Sequence, residues 1–267
     1  MKVEPSLVLR DDQGPVSLIT LNRPDRRNAL SRSLVSQLGD HLAAVASDPA
    51  IRVVVLTGSG PVFCAGMDLK EACESGGQTD AERLAVADLQ ALADLIQQVH
   101  TMPQATIAAL QGDALAGGAG LAMACDLVVA SSSAHIGFPE VRRGLVASVV
   151  LHDLVRLVGE RRARALLLGG SPIDAATACS WGLINEVVGP GESAARDRAI
   201  ALSRELCGGA PQAIATLKRL IDEATRRPRD LRGAAAISAA VRVSEEANEG
   251  MRAFLERRAP SWALPQT

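Results

Sequence analysis

The apolar positions of this chain change period several times, and each change marks an element. Val16-Ser17-Leu18-Ile19-Thr20-Leu21 is a dense apolar run closed by Asn22-Arg23-Pro24-Asp25, which predicts a strand ending in a turn. Leu34, Leu38, Leu42 and Val45 then recur at steps of four, four and three, one face of a helix. Ile51-Arg52-Val53-Val54-Val55-Leu56-Thr57 is β-branched and short enough for a buried parallel strand, and Gly58-Ser59-Gly60-Pro61 breaks it. The polar, glycine-bearing stretch 74–80 predicts a mobile loop, and Thr79 with Glu82 has the spacing of a capping box. Leu89, Leu92, Ile96 and Val99 hold helical spacing up to Pro103. Runs 105–111 and 127–130 predict two more buried strands, with glycines and an alanine-rich helix between them. From about residue 160 onward the pattern predicts helices only, the last over about 233–258.

Strands alternating with helices predict an α/β core with right-handed crossovers, and the last third predicts a helical appendage. No repeat or low-complexity linker separates them, so the division is placed at 1–195 and 196–267. A length of 267 residues suffices to bury a sizeable core. Aromatics are only 2%, with no Tyr, so that core is Leu, Val, Ile and Ala. The same scarcity leaves no platform for base stacking, and a net charge of −2 gives no polyanion footprint, so no nucleic-acid partner is expected. Cys64, Cys73, Cys125, Cys179 and Cys207 are scattered and odd in number, which fits idle thiols in a reducing compartment. The four His residues are dispersed too, and no metal site is expected. The N-terminus lacks a signal-peptide core, and the longest apolar run, 114–125, is too short to span a bilayer. A cytoplasmic protein without a membrane partner is the expectation.

Candidate chemistry starts at Gly112-Asp113-Ala114-Leu115-Ala116-Gly117-Gly118-Ala119-Gly120-Leu121-Ala122-Met123-Ala124-Cys125-Asp126. Glycines at a strand-to-helix junction leave backbone N–H groups uncovered, and the new helix adds the positive end of its dipole. Such a junction receives a phosphate, a carboxylate or a transient oxyanion. A second junction, Val62-Phe63-Cys64-Ala65-Gly66-Met67-Asp68-Leu69-Lys70-Glu71, has the same character, and two convergent N–H donors are the minimum for an oxyanion hole. A third segment, Phe138-Pro139-Glu140-Val141-Arg142-Arg143-Gly144, places an acid in apolar surroundings. From the residues alone Glu140 reads most simply as a surface acid paired with Arg142 or Arg143. The alternative is a carboxyl of raised pKa that trades protons with carbon. A dinucleotide fingerprint fails because Met123 stands where a glycine or alanine is needed, and no G-x-S-x-G elbow occurs.

Taken in order, Asn22-Arg23-Pro24, Asn28-Ala29-Leu30, Phe63-Cys64-Ala65-Gly66-Met67-Asp68-Leu69-Lys70, the 112–126 stretch, Phe138-Pro139-Glu140, Trp181-Gly182-Leu183-Ile184-Asn185-Glu186-Val187-Val188 and Glu249-Gly250-Met251-Arg252-Ala253-Phe254 resemble the enoyl-CoA hydratase/isomerase (crotonase) family over nearly the whole chain. The pattern is nearest to single-glutamate and methylglutaconyl-CoA hydratase-like members. The resemblance implies an α/β crotonase-like fold of stacked ββα units binding acyl-CoA, and a C-terminal helical region for assembly as homotrimers or dimers of trimers. It implies a thioester oxygen held by the backbone N–H groups of Met67 and Gly117, and an enolate served by Glu140. CoA contacts map onto Arg26 (with Arg27 beside it), Ala65, Gly66, Asp68, Lys70 and Gly118, and onto Phe254 and Arg257, which match residues reaching a neighbouring subunit's CoA. No cofactor is implied beyond the CoA of the substrate.

One position departs from the pattern. Hydratases of the family usually carry two glutamates; the second matches Glu140, but the first falls on Gly120. The implied activities are therefore enoyl-CoA hydration, isomerisation only, a methylglutaconyl-type hydration or dehydration, or acyl-CoA binding with weak catalysis. Asp113, His152 and Asp153 are candidates for a compensating group. Segments 74–80 and 145–153 are expected to line the acyl pocket.

Overall fold

The computed structural model describes residues 6–73, 78–224 and 231–260. The chain opens with β1 (Val8–Gln13) and β2 (Val16–Leu21), a 3-10 turn (Pro24–Arg26) and α1 (Arg32–Ala46). Strands then come as a long one and a short one followed by helix. β3 (Val53–Gly58) and β4 (Val62–Cys64) precede α2 (Leu69–Cys73) and α3 (Gln78–Thr101); β5 (Ala105–Leu110) and β6 (Asp113–Leu115) precede α4 (Gly117–Ala124). β7 (Leu127–Ser131) and β8 (His135–Gly137) precede a second 3-10 turn (Pro139–Arg143) and α5 (Ser148–Gly169). β9 (Ile173–Asp174), α6 (Ala175–Trp181) and β10 (Glu186–Val188) follow, then α7 (Ala194–Leu206), α8 (Pro211–Ala224), α9 (Leu231–Arg242) and α10 (Glu245–Leu255).

The long strands form one sheet in the order β1-β2-β3-β5-β7-β10, parallel from β2 onward. The short ones form a second sheet, β4-β6-β8-β9, with only β9 antiparallel. These are the stacked ββα units that the family resemblance implies. Alternate residues of the large sheet serve two cores, because successive side chains point to opposite faces. Val54 and Leu56 join Leu34, Leu38 and Leu42 of α1 and Ile96 of α3. Val53 and Val55 pack with Ile107 and Val129 under Ala195 and Ala199 of α7, small residues that let that helix lie close. The division at 195/196 therefore falls inside a helix that covers the central sheet.

The four strands read from the sequence are all present, but six others are not in that reading. β4, β6, β8, β9 and β10 have only two or three residues each, too few for a periodic signal. β9 and β10 also correct the expectation of helices only beyond residue 160. The long final helix is two, because the Ser244 hydroxyl accepts the Ala247 N–H at 3.1 Å and caps a new start. Helix α3 begins at Gln78, so Thr79 sits inside its first turn; residues 74–77 of the expected loop lie outside the described residues. Among the described residues no helix is long and apolar enough to cross a membrane.

Asn28 locks the first turn to the second strand pair. It is fully buried with φ +52°, a left-handed conformation that Asn tolerates better than most residues. Its Oδ1 accepts the Arg23 N–H at 2.9 Å, and its Nδ2 donates to Ser59 O, Val62 O and Phe63 O at 3.0, 2.8 and 3.1 Å. Asn28→Ala orphans these backbone groups and is expected to cost about 2–4 kcal/mol, read as a lower midpoint in urea unfolding. An unchanged midpoint would contradict this role.

Candidate functional site

Two chain reversals meet at one point. After β4 the chain turns through Gly66 at φ +86°. The Leu30 N–H donates to Gly66 O at 2.8 Å and the Asp68 N–H to Leu30 O at 3.2 Å, a strand-like bridge that brackets Met67. The Met67 N–H itself forms no hydrogen bond among the described residues. After β6, Ala116 carries φ +52° and ψ −126°, a conformation that costs an L-residue about 1–3 kcal/mol. That one strained residue, held by its N–H on Gly137 O at 2.8 Å, turns strand into helix and leaves the Gly117 N–H as the first of α4, with no partner inside the helix. A Cβ on Gly66 would lie 2.7 Å from Ala116 Cβ and 3.3 Å from Gly117 N, so backbone meets backbone here. Met67 and Gly117 both line a cavity of about 480 Å³.

Glu140 lines the same cavity. It is not the surface acid that the residues alone suggested. Arg142 is spent on Gly169 O and Ser171, and Arg143 donates to Pro139 O at 3.2 Å. The Glu140 Oε2 atom is sealed from solvent and has no hydrogen-bond partner among the described residues. Burial pushes its pKa up to about 7, against smaller downward effects from its own backbone N–H and from the Arg143 charge. The other carboxyls on the cavity wall are differently placed. Asp25 is exposed, and Asp68 is bonded to Arg23 at 2.6 Å and to the N–H groups of Lys70 and Glu71. Burial works against the charged form of Asp68, but those bonds outweigh it and hold its pKa below the usual carboxylate range.

Arg26, Ala65, Asp68, Lys70, Phe254 and Arg257 also reach the cavity wall. Gly66 and Gly118 do not. Gly66 shapes the turn, and a Cβ on Gly118 would sit 2.5 Å from Cys64 O, so the absence of a side chain there lets α4 pack closely on β4. Phe254 and Arg257 line the cavity of their own chain. Helix α10 seats on the turn that carries Glu140, with Gly250 directly against the Arg143 backbone, where a Cβ would overlap it. Sequence reading did not place two arginines at the cavity: Arg143, read only as a surface partner of Glu140, and Arg242. Buried Arg242 ties α9 to Asp88 at 3.0 Å, to Ala72 O at 3.1 Å and to the Met67 sulfur at 3.6 Å, and only the tertiary fold brings these together.

At Gly120 the place of a second acid is filled. A Cβ there would lie 2.5 Å from Val150 Cγ1 and 3.0 Å from Ile96 Cδ1. None of the compensating candidates lines the cavity. Asp113 accepts the His135 N–H at 3.0 Å on the exterior, and Asp153 lies 3.7 Å from His152 and 3.8 Å from Arg156. The segment from residue 145 contributes Leu145, Val146, Ala147, Val149 and Val150, an apolar wall.

The site is an α/β one in which, among the described residues, two backbone amides without partners and a carboxyl with one sealed, unbonded oxygen line the same cavity. Residues 11–265 match the family model described as enoyl-CoA hydratase/isomerase. The chain is 40% identical over 253 residues to a Thermus thermophilus protein provisionally named as an enoyl-CoA hydratase, covering 93% of this chain and 98% of that one. An enoyl-CoA hydratase from Mycobacterium avium superposes with a TM-score of 0.84 at 36% identity, over 97% of this chain and 100% of that chain. A carnitinyl-CoA hydratase from the same organism gives 0.81 at 34% identity, over 96% and 98%. The chain belongs to the enoyl-CoA hydratase/isomerase family and has its crotonase fold.

The packing around Gly120 is testable. Gly120→Glu drives its side chain into Val150 and Ile96 and is expected to cost about 1–3 kcal/mol of stability, seen as a lower melting temperature. Val150→Ala in the same chain opens the space and recovers part of the loss. Equal melting of Gly120→Glu and the native chain would remove the steric account.

Proposed function

We propose that the protein acts on an acyl-CoA thioester whose carbonyl oxygen sits on the Met67 and Gly117 amides. Glu140 removes a proton beside the carbonyl, and the charge passes to the oxygen as an enolate. The one observation that carries this reading is the Glu140 carboxyl, whose sealed Oε2 has no donor and whose pKa lies near 7. A carboxyl of that strength is partly ionised at neutral pH and serves as base and then as acid. Two fixed N–H donors in a water-poor cavity supply the larger electrostatic term.

Which reaction follows depends on what meets the enolate. Val150 and Ile96 fill the space beside Gly120, and of the other wall carboxyls Asp68 is bonded to Arg23 and Asp25 is exposed, so no second carboxyl stands opposite Glu140 at that position to grip water. That supports return of the same proton to the far end of the allylic system, a shift of a 3-enoyl to a 2-enoyl thioester. The names of the relatives favour hydration as a second reading. Arg26, Lys70 and Arg257 at the cavity are suited to the phosphates of CoA. The exposed Leu217, Leu220 and Ile221 on α8 suit the trimeric or hexameric assembly implied by the family. A cytoplasmic setting accords with the five free thiols.

Glu140→Gln is expected to lower kcat by about 10²–10⁴-fold while acyl-CoA binding measured by calorimetry persists. Retained turnover in that variant would sink the assignment. The pH profile has a defined sign. Glu140 must be ionised to act as base, so kcat/KM is expected to rise about tenfold per pH unit below 7 and to level off above it. A profile flat from pH 5 to 8 would exclude Glu140 as the base.

A further inference from the structure

We propose that Arg143 makes the cavity selective for acyl groups that carry a carboxylate, which its guanidinium receives beside the reacting carbons. The inference rests on the acyl-CoA reading above and adds the substrate class.

A guanidinium has five N–H donors, and Arg143 spends few of them. Its Nη1 donates to Pro139 O at 3.2 Å, its buried Nε has no partner, and it forms no ion pair among the described residues. Two neighbouring arginines are engaged, Arg242 on Asp88 and Ala72 O and Arg142 on Gly169 O, whereas Arg27 adds a second positive charge on the same wall. Arg143 is also held in place. Its guanidinium carbon lies 4.4 Å from the centroid of the Phe254 ring, and its backbone is pinned by Gly250 of α10. Arg143 thus brings an oriented cation with unspent donors to a cavity whose wall includes the apolar Leu145, Val146, Val149 and Met251. Burial lowers its pKa, and Glu140 supplies only part of a charge near neutral pH.

The position of the turn assigns the ligand to the acyl end. Glu140 and Arg143 stand three residues apart on a 3-10 turn, where side chains at that spacing eclipse and project from the same edge. Their backbone positions are about 6 Å apart along the turn, and the Glu140 charge acts on the Arg143 guanidinium, so the two groups face the same part of the cavity. A carboxylate on the acyl group can meet Arg143 in the cavity that Glu140 also lines, and its two oxygens suit the planar guanidinium. A phosphate of CoA offers the same chemistry from the other end of the ligand, so the test must separate the two.

Glutaryl-CoA and pentanoyl-CoA have the same acyl length, lack a reactive double bond and differ in the terminal carboxylate. Calorimetric binding to the whole protein is expected to favour glutaryl-CoA by about tenfold or more. Arg143→Met is expected to abolish that preference while leaving pentanoyl-CoA affinity within about twofold. Arg143→Lys, which keeps charge without the planar fork, is expected to retain part of it. Equal affinities for the two thioesters in the native protein would overturn the proposal without needing any variant. So would a loss in Arg143→Met that is equal for both thioesters and disappears with acyl-pantetheine esters lacking the nucleotide, because that assigns Arg143 to a CoA phosphate. If neither thioester binds, the acyl-CoA reading fails first and this inference with it.

Discussion

The backbone contact between Gly66 and the Ala116–Gly117 turn is the constraint on which the site depends. A Cβ at Gly66 would crowd Ala116, Leu115 O and Gly117 N together, so the two strand ends approach only because one of them has no side chain. That approach aims the Met67 and Gly117 amides into one cavity. It also demands an unfavourable backbone conformation at Ala116, a cost the surrounding packing must offset. The supporting contacts are likewise close and backbone-based: Gly118 against Cys64 O, and Leu30 bridged to Gly66 and Asp68. Asn28 fastens the turn before Leu30 to the start of β4. A fold of paired long and short strands is suited to this, because each short strand ends where a helix must begin.

The acid is made by a different means. Glu140 follows Pro139 on a 3-10 turn, and α10 closes over that turn with Gly250 against the Arg143 backbone. Phe254 covers the Arg143 guanidinium, and Met251 adds to the apolar wall. The helical C-terminal region thus contributes to the site within its own chain, raising the Glu140 pKa by excluding water from Oε2. At Gly120 the same apolar packing excludes a second polar group. The Met67 and Gly117 amides need only backbone geometry to reach the cavity, whereas the Glu140 carboxyl depends on everything packed around it.

This difference explains what could be read from the chain. The long strands were legible because β3 and β5 are buried on both faces and show as unbroken apolar runs. Helix α1 was legible because Leu34, Leu38, Leu42 and Val45 face one core. The short strands were not, since three residues carry no period; they are strands only because β4, β6 and β8 find one another. Helices α9 and α10 merged in the reading because their apolar spacing runs on across Ser244, whose capping role depends on backbone conformation. The packing demand at Gly118 was not legible either, because glycines in one run look alike and only the position of Cys64 shows that a side chain there has no room.

By itself the sequence determined the family, the two glycine junctions and the single motif acid, because these are local patterns of residue type and order. Tertiary structure decided what Glu140 is. From residues alone it was more simply a surface acid beside two arginines, whereas in the fold helix α10, more than a hundred residues further along, packs on its turn. It likewise decided that Arg142 is bound to Gly169 O while the Arg143 Nε is left without a partner among the described residues, and that Val150 stands where a side chain at 120 would go. Solvation and steric exclusion are properties of what surrounds a group, and no local pattern encodes the surroundings.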